Sequence, residues 1–283
     1  MRKDNIAGAV LVFLAAVCFS IGGICIKLIP WSFLAINGVR NLIGACVIGI
    51  YLLCTHHRIV LNRPVLTGAL STIGVTTFFI LANKLTTAAN AIVLQYTAPV
   101  FVILFMFLFF GVKPKKKEIM TCAAVFAGVC LFFMDGLKTG NTAGDMTAVL
   151  AGVFYAGVLM MNTAEGADPL SSCFLGQLAA GIIFAPLVLS ETDFSAPVVT
   201  SVLLLGLIQV GLAYVFLSTG LKMTDAVTAS LVTCLEPVMN PVWVALFYGE
   251  MITPLSAAGG VIVLAAVVMY NTLPKRGNEI DNK

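Results

Sequence analysis

The chain has 283 residues, of which 60% are apolar and only 10% charged, too little polar surface to clothe a water-soluble globule of this size. Its net charge of +3 does not point to nucleic acid, because the basic residues sit in a few clusters rather than along one continuous face. The composition places the chain in lipid.

From the N-terminus, Arg2 and Lys3 precede an apolar run that extends from Ile6 to Ile29. The core of a signal peptide is about 7–15 residues long, so this run is read as the first membrane span and not as a cleaved segment. Breaks at charge clusters and at Pro, Gly and Asn turns divide the rest into nine further spans, near 32–54, 65–83, 87–110, 118–135, 145–162, 170–190, 198–219, 226–248 and 254–273. The expected fold is an all-α integral membrane protein of ten transmembrane helices, with almost nothing left for a soluble domain.

Span two carries Arg40, with Asn37 one turn before Asn41 beside it, a polar stripe on an oily helix. An ionised group at mid-bilayer costs several kcal/mol, so it faces a partner or a wet cavity. Arginine keeps its proton at any working pH and offers a planar fork of donors, which suits a substrate carboxylate or phosphate. The bland alternative is a clamp on helix carbonyls or on a fixed acid. Span four brings Gln95 and Tyr96 and then Pro99, followed by a phenylalanine-rich run from Phe101 to Phe110 that reads as lipid-facing or packing surface. Gln177 in span seven and Gln209 and Tyr214 in span eight are further uncharged polar groups, cavity lining or interhelical glue. Glu236 in span nine directly precedes Pro237, whose ring removes a backbone hydrogen bond, and Pro241 follows. Glu236 is either a proton-exchanging carboxylate or the static partner of Arg40.

The candidate substrate-binding residues are therefore Arg40, Asn37, Asn41, Gln95, Tyr96, Gln177, Tyr214 and Glu236, and the candidate hinges are Pro99, Pro237 and Pro241. The eight cysteines all lie in or beside apolar runs, without a CxxC pair or a neighbouring histidine, and read as small apolar fillers. Neither catalytic residues, a metal site nor a cofactor is expected, and the absence of GxxxxGK[ST] leaves direct ATP drive unsupported.

Charge sets the orientation. With the N-terminus cytoplasmic, twelve of the 16 basic residues fall inside, Lys27, Lys84 and Lys138 fall outside, and Arg40 lies within a span. This bias predicts an inner-membrane protein with both termini in the cytoplasm. The inside loop holding Glu165 and Asp168 lends it no support.

The halves also resemble each other. An offset of 138 pairs Lys84 with Lys222, Pro99 with Pro237 and Gly111 with Gly249, and an offset of 136 pairs Gly8 with Gly144. The expected repeats are 1–138 and 139–283, each with five spans; an odd number forces the second copy upside down relative to the first. Inverted repeats of this kind enclose a midplane site in alternating-access carriers. Arg40 then matches Gln177 and Glu236 matches Ala98, so the charges break the symmetry.

The proline-led second span with its arginine (Pro30 to Arg40), the Lys84-Leu-Thr-Thr-Ala-Ala opening of span four, Ala98-Pro99 and Glu236-Pro237, and Phe247-Tyr248-Gly249-Glu250 before the last span together resemble the EamA branch of the drug/metabolite transporter superfamily. That resemblance implies a ten-helix bundle of two inverted five-helix repeats, often exporting amino acids or other metabolites. In one departure, Val112 occupies the place matching Glu250.

The expected function is a secondary transporter that moves a small metabolite, an amino acid or related carboxylate, outward across the inner membrane. Exporters of lipophilic cations, leaning on Glu236 and aromatic walls, are the alternative within transport. A membrane enzyme or a receptor is the alternative outside it; His56 and His57 are the only histidines and neither HExxH nor GxSxG is present. The implied partners are a small-molecule substrate and the lipid bilayer, without nucleic acid. The sequence is compatible with proton coupling and with a homodimer.

Overall fold

The computed structural model describes residues 3–86, 88–134, 141–239 and 253–272. In chain order its helices are α1 (Lys3–Ser20), α2 (Gly22–Lys27), α3 (Phe33–Cys54), α4 (Arg63–Leu85), α5 (Ala88–Gln95), α6 (Ala98–Phe110) and α7 (Lys116–Phe133). They continue with α8 (Thr142–Leu159), α9 (Pro169–Phe184), α10 (Ala196–Leu204), α11 (Ala213–Leu221), α12 (Ala226–Thr233) and α13 (Pro254–Thr272). No strand occurs among the described residues. Pro241, Lys138 and the Phe247-Tyr248-Gly249-Glu250 motif lie outside them.

Among the described residues, six helical stretches are long and apolar enough to cross a membrane: Phe33–Cys54, Arg63–Leu85, Ala91–Phe110, Thr142–Leu159, Pro169–Ser190 and Ala196–Leu221. Ile6–Ser20, Ala226–Met239 and Ala257–Tyr270 are shorter apolar helices. Polar side chains at the boundaries absorb the first free N–H groups. Ser32 caps α3, Asn62 caps α4, Asn141 caps α8, Asp168 caps α9 and Asp225 caps α12. At the far end of α6, Gly111 adopts φ +66°, a left-handed cap that carries its N–H back to the Phe107 carbonyl at 3.2 Å. Lys84 lies in the last turn of α4, where a cation suits the helix dipole, and not in the following loop as the hydropathy breaks predict.

Several of the expected spans are broken rather than continuous. The helix of span four stops at Gln95, turns through Tyr96 and Thr97, and restarts at Ala98 with Pro99 in its first turn. In span nine α12 ends at Thr233, the chain turns through Cys234 and Leu235, and helix resumes at Glu236 with Pro237 next. The two turns are 138 residues apart, the offset that pairs the two prolines. A proline in the first turn of a helix costs nothing, since its missing N–H would be free there anyway. Span eight changes pitch instead: between α10 and α11 the segment Leu205–Leu212 is a π-helix.

Between apolar helices in lipid, close packing rather than the hydrophobic effect drives association, and small residues let backbones approach. Along α3, Gly38, Gly44 and Gly49 face Ala185, Gln177 and Phe174 in turn, so α3 and α9 run antiparallel. α4 lies antiparallel on α8, with Gly74 against Phe154 and Gly144 against Leu85. Gly8 of α1 meets Gly220 and Met223 at the end of α11, while Phe19 meets the Tyr214 ring edge-on at 5.2 Å. α7 and α13 pair through Gly128 against Gly259 and through Lys117, whose ammonium donates to the Tyr270 carbonyl at 2.8 Å. Leu104, Phe107, Leu108, Phe109 and Phe110 of α6 are exposed, a face suited to lipid tails.

At Gly38 an added methyl would fall 2.1 Å from the Ala185 backbone nitrogen. Gly38→Ala is expected to cost roughly 1–3 kcal/mol as overpacking, read as a lower Tm of the detergent-purified protein. Gly49→Ala, whose nearest neighbour is the tip of the Phe174 ring at 3.2 Å, is expected to cost less.

Candidate functional site

Arg40 is the largest fully buried side chain described, 2% exposed, and its neighbours are arranged to receive it. Its guanidinium donates to Gln209 Oε1 at 3.2 Å, to Asn37 Oδ1 at 3.3 Å and to the Thr76 carbonyl at 3.2 Å. Among the described residues its Nε–H has no acceptor. Asn37 is fixed in turn: its amide nitrogen donates to Thr77 Oγ1 at 3.1 Å, and Asn41 donates to Asn37 Oδ1 at 2.8 Å. Gln209 projects from the π-helix, and Gly22 lies flush against its amide; a Cβ there would stand 3.1 Å from Nε2. π-helical turns recur at functional sites, where the extra residue per turn re-aims a side chain.

Glu236 stands at the restart of the span-nine helix, half-buried, and its Oε2 accepts the Tyr96 hydroxyl at 2.6 Å. Tyr96 lies in the matching break of span four, so the two interrupted helices meet through this hydrogen bond. Among the described residues no oppositely charged side chain stands within 4.0 Å of either Arg40 or Glu236. The static Arg40–Glu236 ion pair is therefore not present here.

Both charges face one cavity of about 40 Å³, lined also by Phe19, Val75, Thr76, Phe79, Gln95, Tyr155, Gln209, Val210 and Tyr214. On the scale of one water per roughly 10–15 Å³ of such volume, it has room for about three waters. Arg40 is seven residues from the start of α3 and 14 from its end, about 10 and 21 Å along the axis. The cavity therefore sits nearer the end of the bundle that holds Trp31.

Of the eight binding candidates, Arg40, Gln95, Tyr214 and Glu236 line the cavity. Asn37, Asn41 and Tyr96 stand behind it and hold the two charges. Gln177 does not line it: the side chain is fully buried beside Gly44 with both amide atoms unpartnered. Pro99 and Pro237 sit at the helix restarts. Sequence reasoning missed Thr76, which contributes a main-chain oxygen, and Tyr155, whose buried hydroxyl makes no hydrogen bond of standard geometry.

The family model for EamA-like transporters matches residues 6–134 and again residues 142–272. The chain belongs to the EamA-like transporter family. Among relatives, the pseudopaline exporter CntI of Pseudomonas aeruginosa strain UCBPP-PA14 is 25% identical over 282 residues, covering 95% of this chain and 97% of that protein. The uncharacterized inner membrane transporter YedA of Escherichia coli K12 is 26% identical over 254 residues, covering 84% of this chain and 82% of its own. A solved crystal structure shares the fold, with a TM-score of 0.81 at 17% identity over 96% of this chain and 100% of its own. The EamA resemblance read from Arg40, the paired prolines and the Lys84 segment is thus borne out, and this EamA-family chain is an all-helical membrane protein with transporters as relatives.

Tyr96→Phe, which strips the half-buried Glu236 carboxylate of its hydrogen bond, is expected to destabilise the protein by about 1.5–3 kcal/mol in detergent unfolding. Tyr155→Phe, which removes a hydroxyl that makes no hydrogen bond of standard geometry among the described residues, is expected to be neutral or stabilising in the same measurement.

Proposed function

We propose that this EamA-family chain is an alternating-access carrier for a small solute bearing both a carboxylate and a cationic amine, an amino acid or a related metabolite. The observation that carries this reading is the pair of opposite charges, Arg40 and Glu236, lining one cavity while neither is neutralised by the other or by any described ionised side chain. Burying either in lipid costs several kcal/mol, a cost that a complementary solute offsets on binding. The Arg40 fork receives the carboxylate, with Nε–H free and NH1 released by Gln209; Asn37 and Asn41 position it. Glu236 receives the amine, and Gln95 and Tyr214 complete the wall. A cavity of about 40 Å³ is well below the roughly 300–1,000 Å³ of small-molecule sites, so binding must widen it.

The moving parts are two inverted five-helix repeats, 1–138 and 139–283, in a ten-helix bundle. The matched breaks at 96–97 and 234–235 support this division. So does the pairing of helices: α3 with α9 and α7 with α13 are equivalent members of the two halves lying antiparallel, as inversion requires. Exchanging the halves also converts the α4–α8 pair into α11–α1, down to Gly144 on Leu85 and Gly8 on Met223. Pro99 and Pro237, at the restarts, are the hinges. The excess of Lys and Arg in the segments read as inside supports cytoplasmic placement of both termini. Outward transport is supported by the name of the relative CntI, an exporter.

Aromatic walls from Phe19, Phe79, Tyr155 and Tyr214 beside Glu236 favour a second reading, export of lipophilic cations. An uptake screen in liposomes, across amino acids, small acids and quaternary ammonium dyes, separates the two. Amino acids are expected to move with wild type and to stop with Arg40→Ala in protein that still elutes as a folded species. Movement of the dyes alone, unaffected by Arg40→Ala, would overturn the amino-acid reading.

A further inference from the structure

Away from the cavity, the most densely bonded polar cluster joins three separate parts of the chain at the far end of α3. Asp168, the cap of α9, is 6% exposed. Its Oδ1 lies 2.7 Å from Lys222 Nζ, just past α11, and its Oδ2 lies 2.7 Å from His57 Nε2 in the loop after α3. Ser171 adds its hydroxyl and its N–H to Oδ2 at 2.5 and 3.1 Å. Burial alone would raise the Asp168 carboxyl, but the hydrogen bonds from Lys222, Ser171 and His57 outweigh it and hold the group down to about 2, so it is ionised at any pH a cell meets. Around this hub the same segments are stitched again. Asn62 donates to the Gly166 carbonyl at 2.7 Å, Val60 N–H to Ser171 Oγ at 3.0 Å, and Asn162 to the Leu221 carbonyl at 2.8 Å. His56, at φ +51°, makes the tight turn that delivers His57.

The opposite end of the α3–α9 pair is closed by different chemistry at matching positions. An offset of 137 carries Trp31 to Asp168 and His57 to Phe194. There the Trp31 and Phe194 rings stand 5.3 Å apart and Trp31 Nε1 donates to the Asp193 carbonyl at 2.7 Å. No ion pair occurs at that end among the described residues. One junction is thus built twice, once from rings and once from ions, and only the ionic copy also ties down α11.

Between the cavity and the ionic junction the chain is closely packed. Cys173, one and a half turns beyond Asp168, is fully buried and accepts the Ser218 hydroxyl of α11 at 3.2 Å. We propose that Asp168, His57 and Lys222 form an ionic latch that closes this end of the carrier, the cytoplasmic end in the orientation given above, and that it must part for solute to enter from that side. The polar ties hold α9, α11 and the loop after α3 together at the rim of the apolar packing, where they can be exchanged for water when the end opens. Such a latch has work to do only in a carrier of the kind proposed, whereas its opening can be read without any cargo.

Cys173 is a native reporter. In the full chain with the other seven cysteines replaced by alanine, a membrane-impermeant maleimide is expected to label Cys173 slowly in inside-out and in right-side-out vesicles. Lys222→Gln and Asp168→Asn are expected to raise the rate about tenfold, as a shift of the open population, only from the face that carries the latch. Lys222→Arg, which keeps the cation, is expected to label like the parent. Rapid labelling of the parent, unchanged labelling in the variants, or equal acceleration from both faces, which signals lost fold, would each overturn the latch.

Discussion

Placing a guanidinium inside an apolar bundle is the constraint from which most of this structure follows. Arg40 cannot shed its proton, so its donors need acceptors delivered by the protein at bonding distance. One comes from a neighbour on its own helix, Asn37, one from the α4 backbone at Thr76, and one from Gln209 across the bundle. Bringing α4 and the π-helical segment this close to α3 demands that backbones nearly touch. Gly206 and Gly211 accordingly sit against Ile43 and Val47, and Gly44 against Val210. The glycines and the charge are two halves of one arrangement: without the small residues the acceptors could not arrive, and without the charge there would be little reason for a wet cavity at this depth.

The broken helices supply the other half of the cavity. Interrupting a helix in lipid exposes carbonyls that must find partners, and local side chains provide them. Thr97 Oγ1 donates to the Leu94 carbonyl at 2.6 Å; Thr233 Oγ1 and Cys234 Sγ donate to the Ser230 carbonyl at 2.9 and 3.2 Å. With those groups satisfied, the breaks bring Gln95 and Glu236 to the cavity at the ends of helical segments, and Tyr96 bridges the two breaks. Ala98 opens one restart and Glu236 the other, so only one of the two carries charge, which gives the cavity one cationic and one anionic side.

What could be read beforehand follows physical lines. Membrane class was legible because apolar runs are long and charges rare. The places of the two breaks were legible because prolines are few: Pro99 and Pro237 mark them, although a pattern of apolar residues gave no sign that the helices would stop there rather than kink. Arg40 and Glu236 were legible because a charge in a span is expensive. Gln177, read as cavity lining or interhelical glue, stands outside the cavity because a polar residue inside a span reveals its depth and not the environment it meets, here the flank of Gly44. Thr76 was invisible because its contribution is a main-chain oxygen. The role of Gln209 depends on a π-helix, whose pitch no 3.6-residue periodicity anticipates. The acidic loop at Asp168 gave no support to the inside assignment from sequence; in the structure Lys222 and His57 take up that charge, residues 54 and 111 positions away.

The central claim is that Arg40 and Glu236 together form a two-charge site, and ligand-induced stabilisation of the purified protein tests it most directly. A ligand that binds only the folded carrier raises its Tm by mass action. Amino acids are expected to raise the Tm of wild type, their amine-only and carboxylate-only analogues to do so weakly, and the shift to vanish in both Arg40→Leu and Glu236→Gln. Equal stabilisation by amine-only analogues, undiminished in Arg40→Leu, would contradict the account and leave Arg40 a structural clamp.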